Sequence, residues 1–295
     1  MPPPRLPSFD SVSGPARDRL ISLHSDPTFR GVIESETAHS MAADLGLSES
    51  ALMVLLLPAA AAYARPPVSG FHVGAVARGT STGDLYYGAN LEFEGESLSF
   101  ALHAEQSCVT NAWMAGEDGI DILAVTAPPC GHCRQFLNEL STAASLQIEI
   151  PSGPRTLSDL LPDAFGPDDL KVEARLMQKS EQPLEADVED ELAVAALVAA
   201  RRSHAPYSGS FAGVALRSGS GRIVSGSYGE NAAFNPSLAP AIAALSQLNL
   251  AGEPFDALTD AVVVHVDSRH GTETRAVLAA ACDVRLRSIR ARNSR

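Results

Sequence analysis

Two stretches of this chain, about 140 residues apart, repeat each other in residue order and in turn chemistry. The paired segments are Ser69–Phe71 with Ser208–Ser210, Gly74–Arg78 with Gly213–Arg217, and Tyr87–Phe93 with Tyr228–Phe234. Such a repeat predicts that one structural unit occurs twice, with a slightly longer hairpin loop in the second copy. The alternative is that two unrelated α/β domains share turn residues by chance.

The first copy alternates segments of strand and helix character. The apolar stretch Ala51–Ala64 follows the cap-like pair Ser48-Glu49 and predicts a buried helix that Pro58 kinks. Further along we predict strands over 71–78, 85–88, 120–126 and 146–150, and helices over 99–114 and from Cys130 to about Leu140. Strands that alternate with helices predict an α/β fold with helices layered on a mixed sheet.

Changes in composition divide the chain into four parts. We predict an N-terminal helical segment over residues 1–47 and the first copy over residues 48–168. The stretch 169–188 is rich in Pro and acidic residues, as linkers are, and 189–295 hold the second copy. A chain of 295 residues is long enough for two domains, each with its own core.

A histidine, a glutamate and two cysteines stand in an order that predicts a metal site. His103-Ala104-Glu105 precedes a strand-like run and then Pro129-Cys130-Gly131-His132-Cys133. One imidazole and two thiolates can hold a tetrahedral zinc ion whose fourth position stays open, which is typical of catalytic sites. Glu105 lies two residues beyond His103 and cannot share its direction on a helix, so it suits an acid/base beside the open position.

Other roles for these residues remain open at this point. A Cys-x-x-Cys unit also occurs as a thioredoxin-like redox pair, and a structural zinc site would need a fourth ligand such as Cys108 or His132. At the place that we align with His103–Glu105, the second copy reads Ala244-Leu245-Ser246, and it has no Cys-x-x-Cys unit. We therefore expect one zinc ion per chain and a second copy without metal.

Bulk properties exclude several classes of protein. With a formal net charge of -13, the chain lacks the basic surface that nucleic-acid binding requires. The run Ala51–Ala64 is too short for a membrane span and starts too late for a secretory signal. Few cysteines, two of them in one motif, indicate metal or redox chemistry in a reducing compartment. We expect a cytoplasmic protein with neither a membrane nor a nucleic acid as partner.

The motif His-x-Glu followed by Pro-Cys-x-x-Cys is the signature of zinc deaminases. The chain resembles the cytidine deaminases, specifically their two-domain homodimeric branch typified by the enterobacterial enzyme. The segments that carry this resemblance are Phe71–Ala75, Gly88–Phe93, His103–Gln106, Pro129–Phe136, Leu161–Pro167 and Glu230–Pro236.

The resemblance implies a fold and a reaction. The fold would be the three-layer cytidine-deaminase-like fold with a mixed sheet, duplicated as a catalytic and a metal-free domain. The reaction would be hydrolytic deamination of cytidine and 2′-deoxycytidine to the uridine forms and ammonia. His103, Cys130 and Cys133 would bind zinc, which makes hydroxide available near neutral pH, and Glu105 would shuttle the protons.

The resemblance also implies substrate contacts. Asn90 and Glu92 would bind the ribose 3′-hydroxyl, Phe71 the pyrimidine or sugar, and Ala104 the base through its backbone, with Leu91 in the same group. From the partner subunit, the neighbouring site would receive Ala233, Phe234 and Phe165, although plain core packing is the alternative for these three. Pro128 stands where the enterobacterial form has threonine, so only the backbone of that position could meet the base.

Other substrates and roles compete with a free nucleoside. A polynucleotide fits poorly with the acidic charge, and Glu92 would repel a nucleotide phosphate. An antibiotic-modifying deaminase would keep the same zinc chemistry. A catalytically silent zinc scaffold would not need Glu105.

Overall fold

The computed structural model describes residues 9, 12, 14–266 and 268–294. The elements up to the end of the first copy are α1 (Gly14–Ser25), β1 (Val32–Ile33), α2 (Ser35–Leu45), α3 (Glu49–Ala61), β2 (Gly74–Gly79), β3 (Leu85–Ala89), α4 (Ala104–Ala115), β4 (Ile120–Val125), α5 (Gly131–Leu137), β5 (Gln147–Ile150), β6 (Gly153–Thr156) and α6 (Leu157–Leu160).

The remaining elements are β7 (Leu184–Glu185), α7 (Glu191–Arg202), β8 (Ala212–Ser218), β9 (Ile223–Ser227), α8 (Pro240–Leu250), β10 (Leu258–His265), α9 (His270–Ala281), β11 (Leu286–Arg290) and β12 (Arg292–Asn293). Short 3₁₀ turns lie at Leu98–Phe100, Ala143–Ser145, Pro167–Leu170 and Phe255–Ala257.

The two copies have the same sheet topology. The strand order is β1-β3-β2-β4-β5-β6 in the first sheet and β11-β10-β8-β9 in the second. In each copy a hairpin pairs antiparallel, a third strand lies antiparallel beside the first hairpin strand, and a fourth runs parallel to the third. Because the helices also recur in the same order, the predicted duplication of an α/β unit with a mixed sheet is confirmed.

One glycine in each copy fixes which residues correspond. A Cβ added at Gly88 would lie 2.4 Å from the carbonyl oxygen of Ala104, and one at Gly226 would lie 2.4 Å from that of Pro240. Since only glycine lets strand and helix approach so closely, these two positions are equivalent. Ala104 at the start of α4 therefore corresponds to Pro240 at the start of α8.

The predicted register of the repeat was wrong. The residues of the second copy that correspond to His103–Glu105 are Ala239–Ala241, and not Ala244–Ser246. The error came from matching the two Tyr-Gly dipeptides, although Gly226 and not Gly229 occupies the place of Gly88. The hairpin connection runs over 80–84 in the first copy and over 219–222 in the second, so the second loop is shorter, not longer. Neither alignment gives the second copy a metal ligand at this place.

Side chains alternate between the two faces of each sheet, and helices cover both faces. In β2, Ala75 and Ala77 pack with α4 and α5, whereas Val76 packs with α3 and the N-terminal helices. In β8, Val214 packs with α8 and α9, whereas Ala215 packs with α7. Each copy is thus a three-layer α/β unit, as predicted.

The two copies share one apolar core. Buried side chains of α4 and α5 and of α8 and α9 form a continuous cluster between the two sheets. Across it, the hydroxyls of Ser107 and Ser246 are 2.8 Å apart, and Arg202 Nη1 donates to the carbonyl oxygens of Trp113 and Met114 at 3.0 and 2.8 Å. The second copy therefore supports the helix that carries His103.

The N-terminal segment and the connecting stretch are built into the fold. β1 pairs antiparallel with β3, and the buried residues of α1 and α2 pack in one cluster with α3. In the connecting stretch, Leu176 is fully buried and β7 pairs with β12. The boundaries after residues 47, 168 and 188 stay predictions.

Several helix boundaries differ from the predicted ones. α4 begins at Ala104 and not near residue 99, because Leu98–Phe100 form a separate 3₁₀ turn and His103 has extended backbone angles. α5 ends at Leu137 and not near residue 140. The helix predicted over Ala51–Ala64 is present as Glu49–Ala61 and also ends three residues earlier, but the predicted cap is confirmed by a bond from Ala51 N–H to Ser48 Oγ at 3.2 Å.

Among the described helices, none is by itself long and apolar enough to cross a membrane. α2 and α3 together meet the length and composition criteria only as a pair bent by 100°.

Candidate active site

The N-termini of α4 and α5 lie side by side, and each carries candidate metal ligands. His103 is the N-cap residue of α4, and its backbone N–H donates to Gln106 Oε1 at 3.3 Å. Cys130 is the N-cap residue of α5, and Cys133 lies in the first turn. Free N–H groups and the helix dipole favour thiolates at this end of a helix.

The three ligand atoms have the spacing of a tetrahedral zinc site. His103 Nδ1 lies 3.5 Å from Cys130 Sγ and 3.2 Å from Cys133 Sγ, and the two sulfurs are 3.6 Å apart. Tetrahedral zinc bonds separate two sulfurs by about 3.8 Å and a sulfur from a nitrogen by about 3.6 Å. In the part of the chain that the structure describes, this is the one group of His, Cys, Asp and Glu side chains with metal-ligand spacing.

Hydrogen bonds within this group favour one thiolate before any metal binds. Bonds from Cys133 and His103 lower the pKa of Cys130 to about 3. The pKa of Cys133 moves upward, because its thiol donates to Cys130 and is buried. The bond with Cys130 also raises the pKa of His103. A metal cation that replaced the shared protons would bind both sulfurs as thiolates.

Glu105 lies beside this group and is almost inaccessible to solvent. It is 4% exposed, and burial raises the pKa of its carboxyl above the ordinary value. Its own backbone N–H and hydrogen bonding with Cys133 oppose that shift. Glu105 lines the same cavity as His103 and Cys130. A carboxyl with a raised pKa can both take up and release a proton near neutral pH.

A cavity of about 250 Å³ opens onto these residues. Its lining comprises Ser69, Phe71, Val73, Asn90, Glu92, Ala101, Leu102, His103, Ala104, Glu105, Ala127, Pro128 and Cys130. The structure thus brings most of the predicted first-copy site residues together at one cavity. Phe71 is 59% exposed, so its ring stands at the solvent side of the cavity.

Glu92 is held by three donors from the loop before β2. Its carboxylate accepts from the backbone N–H groups of Val68 and Ser69 at 3.0 and 2.8 Å and from Ser69 Oγ at 2.6 Å. Asn90 fixes the same loop, since it accepts from Val73 N–H at 2.9 Å and donates to the Phe71 carbonyl at 3.0 Å. Both side chains are therefore oriented without a ligand.

Leu91 departs from the expectation of a substrate contact. Its side chain is fully buried in the core, and it does not line the cavity. Its N–H and carbonyl are both bonded to Leu102 at 2.9 Å. In a strand-like segment, successive side chains point to opposite sides, so Leu91 faces away where Asn90 and Glu92 face in.

The residues expected to serve a partner subunit lie elsewhere on this chain. Phe234 is 67% exposed, has a positive φ of 65°, and lies with Ala233 in the loop between β9 and α8. Phe165 is 48% exposed, and its carbonyl accepts from Gln135 and Asn138 at 2.7 and 3.2 Å. The exposure of both rings argues against plain core packing.

One residue that positions the site and one buried between the copies were not predicted. Ser69 supplies two of the three bonds to Glu92, and the repeat of Ser69-Gly70 as Ser208-Gly209 could have indicated it. Glu139 is fully buried between the copies, and accepts from His204, Tyr207 and Ala232. No spacing or motif singled it out, because its partners are distant in sequence.

Two sequence models of one family match the chain, and both are described as the cytidine and deoxycytidylate deaminase zinc-binding region. They match residues 48–147 and 157–276, which together are more than half of the chain. The chain belongs to this family. The family's description and the His-Cys-Cys group agree on zinc as the cofactor.

One relative matches nearly all of the chain, and others match part of it. It is 44% identical over 277 residues to the cytidine deaminase of Serratia proteamaculans, covering 92% of this chain and 94% of that one. It is 50% identical over 220 residues to the cytidine deaminase of Vibrio vulnificus, 74% of each chain. The crystal structure of Mycobacterium tuberculosis cytidine deaminase is 39% identical and covers 36% of this chain and 89% of that chain, with a TM-score of 0.33.

Proposed function

We propose that this protein is a cytidine deaminase that hydrolyses cytidine and 2′-deoxycytidine to uridine, 2′-deoxyuridine and ammonia. One observation carries the proposal: Glu105 is buried beside the three ligand atoms, at a cavity that also contains Glu92. A metal-binding scaffold would gain nothing from this carboxyl, whose burial costs free energy.

The proposed mechanism divides the work among a few groups. His103, Cys130 and Cys133 would hold zinc, which when bound lowers the pKa of a water molecule towards neutrality. Glu105 would take a proton from the attacking water and deliver it to the ring nitrogen beside the reacting carbon. Once the oxygen has added to that carbon, Glu105 would take the remaining proton from the added hydroxyl and pass it to the amino group, which leaves as ammonia as the carbonyl forms. One carboxyl thus acts first as base and then as acid.

The rest of the cavity would orient the nucleoside. Glu92 accepts a hydrogen bond from a ribose hydroxyl, and Asn90 supplies a second polar contact. Ala104 is the first residue of α4, where backbone N–H groups lack helical partners, so its N–H can donate to the base carbonyl. Phe71 covers the bound ring from the solvent side, and the backbone at Pro128 lines the opposite wall.

A homodimer is part of the proposal. Phe234 and Phe165 are exposed aromatic side chains, and such groups on a surface are typical of protein interfaces. In the proposed dimer, Ala233, Phe234 and Phe165 of one subunit cover the cavity of the other. The biological role is salvage of pyrimidine nucleosides in the cytoplasm, in keeping with cysteines that are all unpaired in the described chain.

The test is a substrate panel with the zinc-loaded protein. Cytidine, deoxycytidine, CMP and adenosine are supplied separately, and deamination is followed by the change in ultraviolet absorbance. We expect turnover of the two cytosine nucleosides only. Glu105→Ala should retain one zinc per chain by elemental analysis and lose turnover by at least about a hundredfold. Inactivity of the wild type on all four compounds, or full activity of the variant, contradicts the proposal.

A further inference from the structure

The second copy contains a cavity at the place equivalent to the candidate active site. Its volume is about 660 Å³, within the range of small-molecule sites in proteins. The residues that matter for the argument below are Ser208, Ser210, Tyr228, Glu230 and Arg269.

These five residues occupy the positions of five residues that line the first cavity. The Gly88–Gly226 match and the strand register give the pairs Ser69 with Ser208, Phe71 with Ser210, Asn90 with Tyr228, and Glu92 with Glu230. Cys130 and Arg269 correspond as the N-cap residues of α5 and α9. The two cavities are therefore copies of one ancestral site.

The carboxylate that faces the sugar in the proposed active site is retained. Glu230 is 5% exposed and accepts from the backbone N–H groups of Tyr207 and Ser208 at 2.8 and 3.1 Å. The Ser208 hydroxyl also donates to it. This is the arrangement of Glu92 with Val68 and Ser69, bond for bond. Like Glu92, Glu230 is therefore oriented before any ligand arrives, and its carboxylate retains acceptor capacity for a sugar hydroxyl.

The groups that would carry out chemistry are absent. Ala239 and Ala241 stand in place of His103 and Glu105, and Thr272 stands in place of Cys133. These three side chains offer neither a zinc site nor a buried proton carrier. A molecule bound in the second cavity is therefore not converted.

Two replacements change what the cavity can accept. Ser210 in place of Phe71 leaves more room, consistent with about 660 Å³ here against about 250 Å³ in the first copy. Arg269 in place of Cys130 brings a hydrogen-bond donor to the end of the cavity where the exocyclic group of a pyrimidine would lie. Of the acidic neighbours, Glu273 is already paired with His270 at 3.2 Å.

We propose that the second cavity binds a uracil nucleoside, the product of the proposed reaction, without converting it. The inference rests on the proposed function for the identity of the nucleoside. Glu230 accepts from a sugar hydroxyl, and Arg269 donates to the ring carbonyl that replaces the amino group. A cytosine amino group is itself a donor and meets Arg269 unfavourably, so uridine binds better than cytidine.

Calorimetric titration of the zinc-loaded protein with uridine tests the number of sites. We expect two uridine molecules per wild-type chain, and in Arg269→Ala a second site that binds uridine roughly tenfold more weakly. Arg269 is exposed, so the variant should fold and keep the wild-type kcat/KM for cytidine. One uridine per wild-type chain, or two sites whose affinities Arg269→Ala leaves unchanged, overturns the inference.

A double variant isolates the second cavity. Glu92→Gln with Glu105→Gln should remove nucleoside binding and turnover at the first cavity, so cytidine can be titrated without conversion. In this background we expect one site per chain that binds uridine roughly tenfold tighter than cytidine, in line with one charge-assisted hydrogen bond. Equal affinity for the two nucleosides contradicts the role of Arg269. Failure of the wild type to deaminate cytidine contradicts the proposed function alone.

Discussion

Glu105 and Glu92 are two carboxylates in one cavity, and their surroundings give them different properties. Glu105 is buried next to a thiol, and burial raises its pKa. Glu92 has three donors directed at it, so its charge is satisfied before any ligand arrives. The first arrangement suits proton transfer and the second suits binding of a hydroxyl.

Glu105→Gln should stabilise the metal-free protein, and more at pH 8 than at pH 4. Because the folded-state pKa is raised, ionisation of Glu105 opposes folding once the pH exceeds the unfolded-state pKa of about 4.3. The penalty is absent below that pH and grows until the pH passes the folded-state pKa. Denaturant unfolding of both proteins at the two pH values measures it.

Glu92→Gln is the matched control for this stability test. It removes a charge that three hydrogen bonds already satisfy, so it should give no such gain at pH 8. A stability difference for Glu105→Gln that does not vary with pH would show that burial of the charge is not the cause.

At the scale of elements, the sequence predicted which helices and strands occur better than it predicted where they begin and how the two copies align. The metal motif, the helix over 49–61 and the strand–helix alternation follow from local pattern, and the structure contains them. The start of α4 and the register of the repeat do not follow, because both depend on contacts between strand and helix. Gly88 and Gly226 set that register because each lets its strand approach a helix backbone closely. The order of residues in the sequence does not reveal this contact. Glu139 was missed for the same reason.

Gly88→Ala and Gly226→Ala form a matched pair for this close approach. Each new methyl group would lie about as close to a helix backbone as the other, so both variants should lose about 1–3 kcal/mol of unfolding free energy. Only Gly88→Ala displaces α4, which carries His103, so it should also lose zinc affinity and turnover. Chemical denaturation and zinc titration measure the two effects. Equal zinc affinity in the two variants would refute this division.

At the scale of the whole molecule, the two copies depend on each other. Their helices share one core, and Arg202 of the second copy donates to the last carbonyls of α4 in the first. The Trp113 carbonyl also accepts from the Gly116 N–H at 3.1 Å, and a cation complements that end of the helix dipole. Loss of one copy would expose the apolar surface of the other.

Arg202→Ala should lower the unfolding free energy by about 1.5–3 kcal/mol, because it leaves helix carbonyls without a charged donor. Since the core is shared, unfolding followed by circular dichroism and by zinc release should shift together. Arg201→Ala is the neighbouring control, since the Arg201 side chain donates to Leu184 O at 2.9 Å, outside α4. Zinc release that precedes loss of helix in the Arg202 variant would show that the copies unfold separately.

The α/β unit occurs twice in the chain, but the His103, Cys130 and Cys133 ligand group belongs to the first copy, and this difference determines which mutations can be tolerated. Replacing His103 removes a ligand, and no gain in thermal stability elsewhere can restore the reaction. At the equivalent Ala239, a replacement changes packing alone, and a stabilising second substitution can compensate for it. A random library screened for turnover should therefore yield suppressors for damage in one half and none for lost ligands in the other.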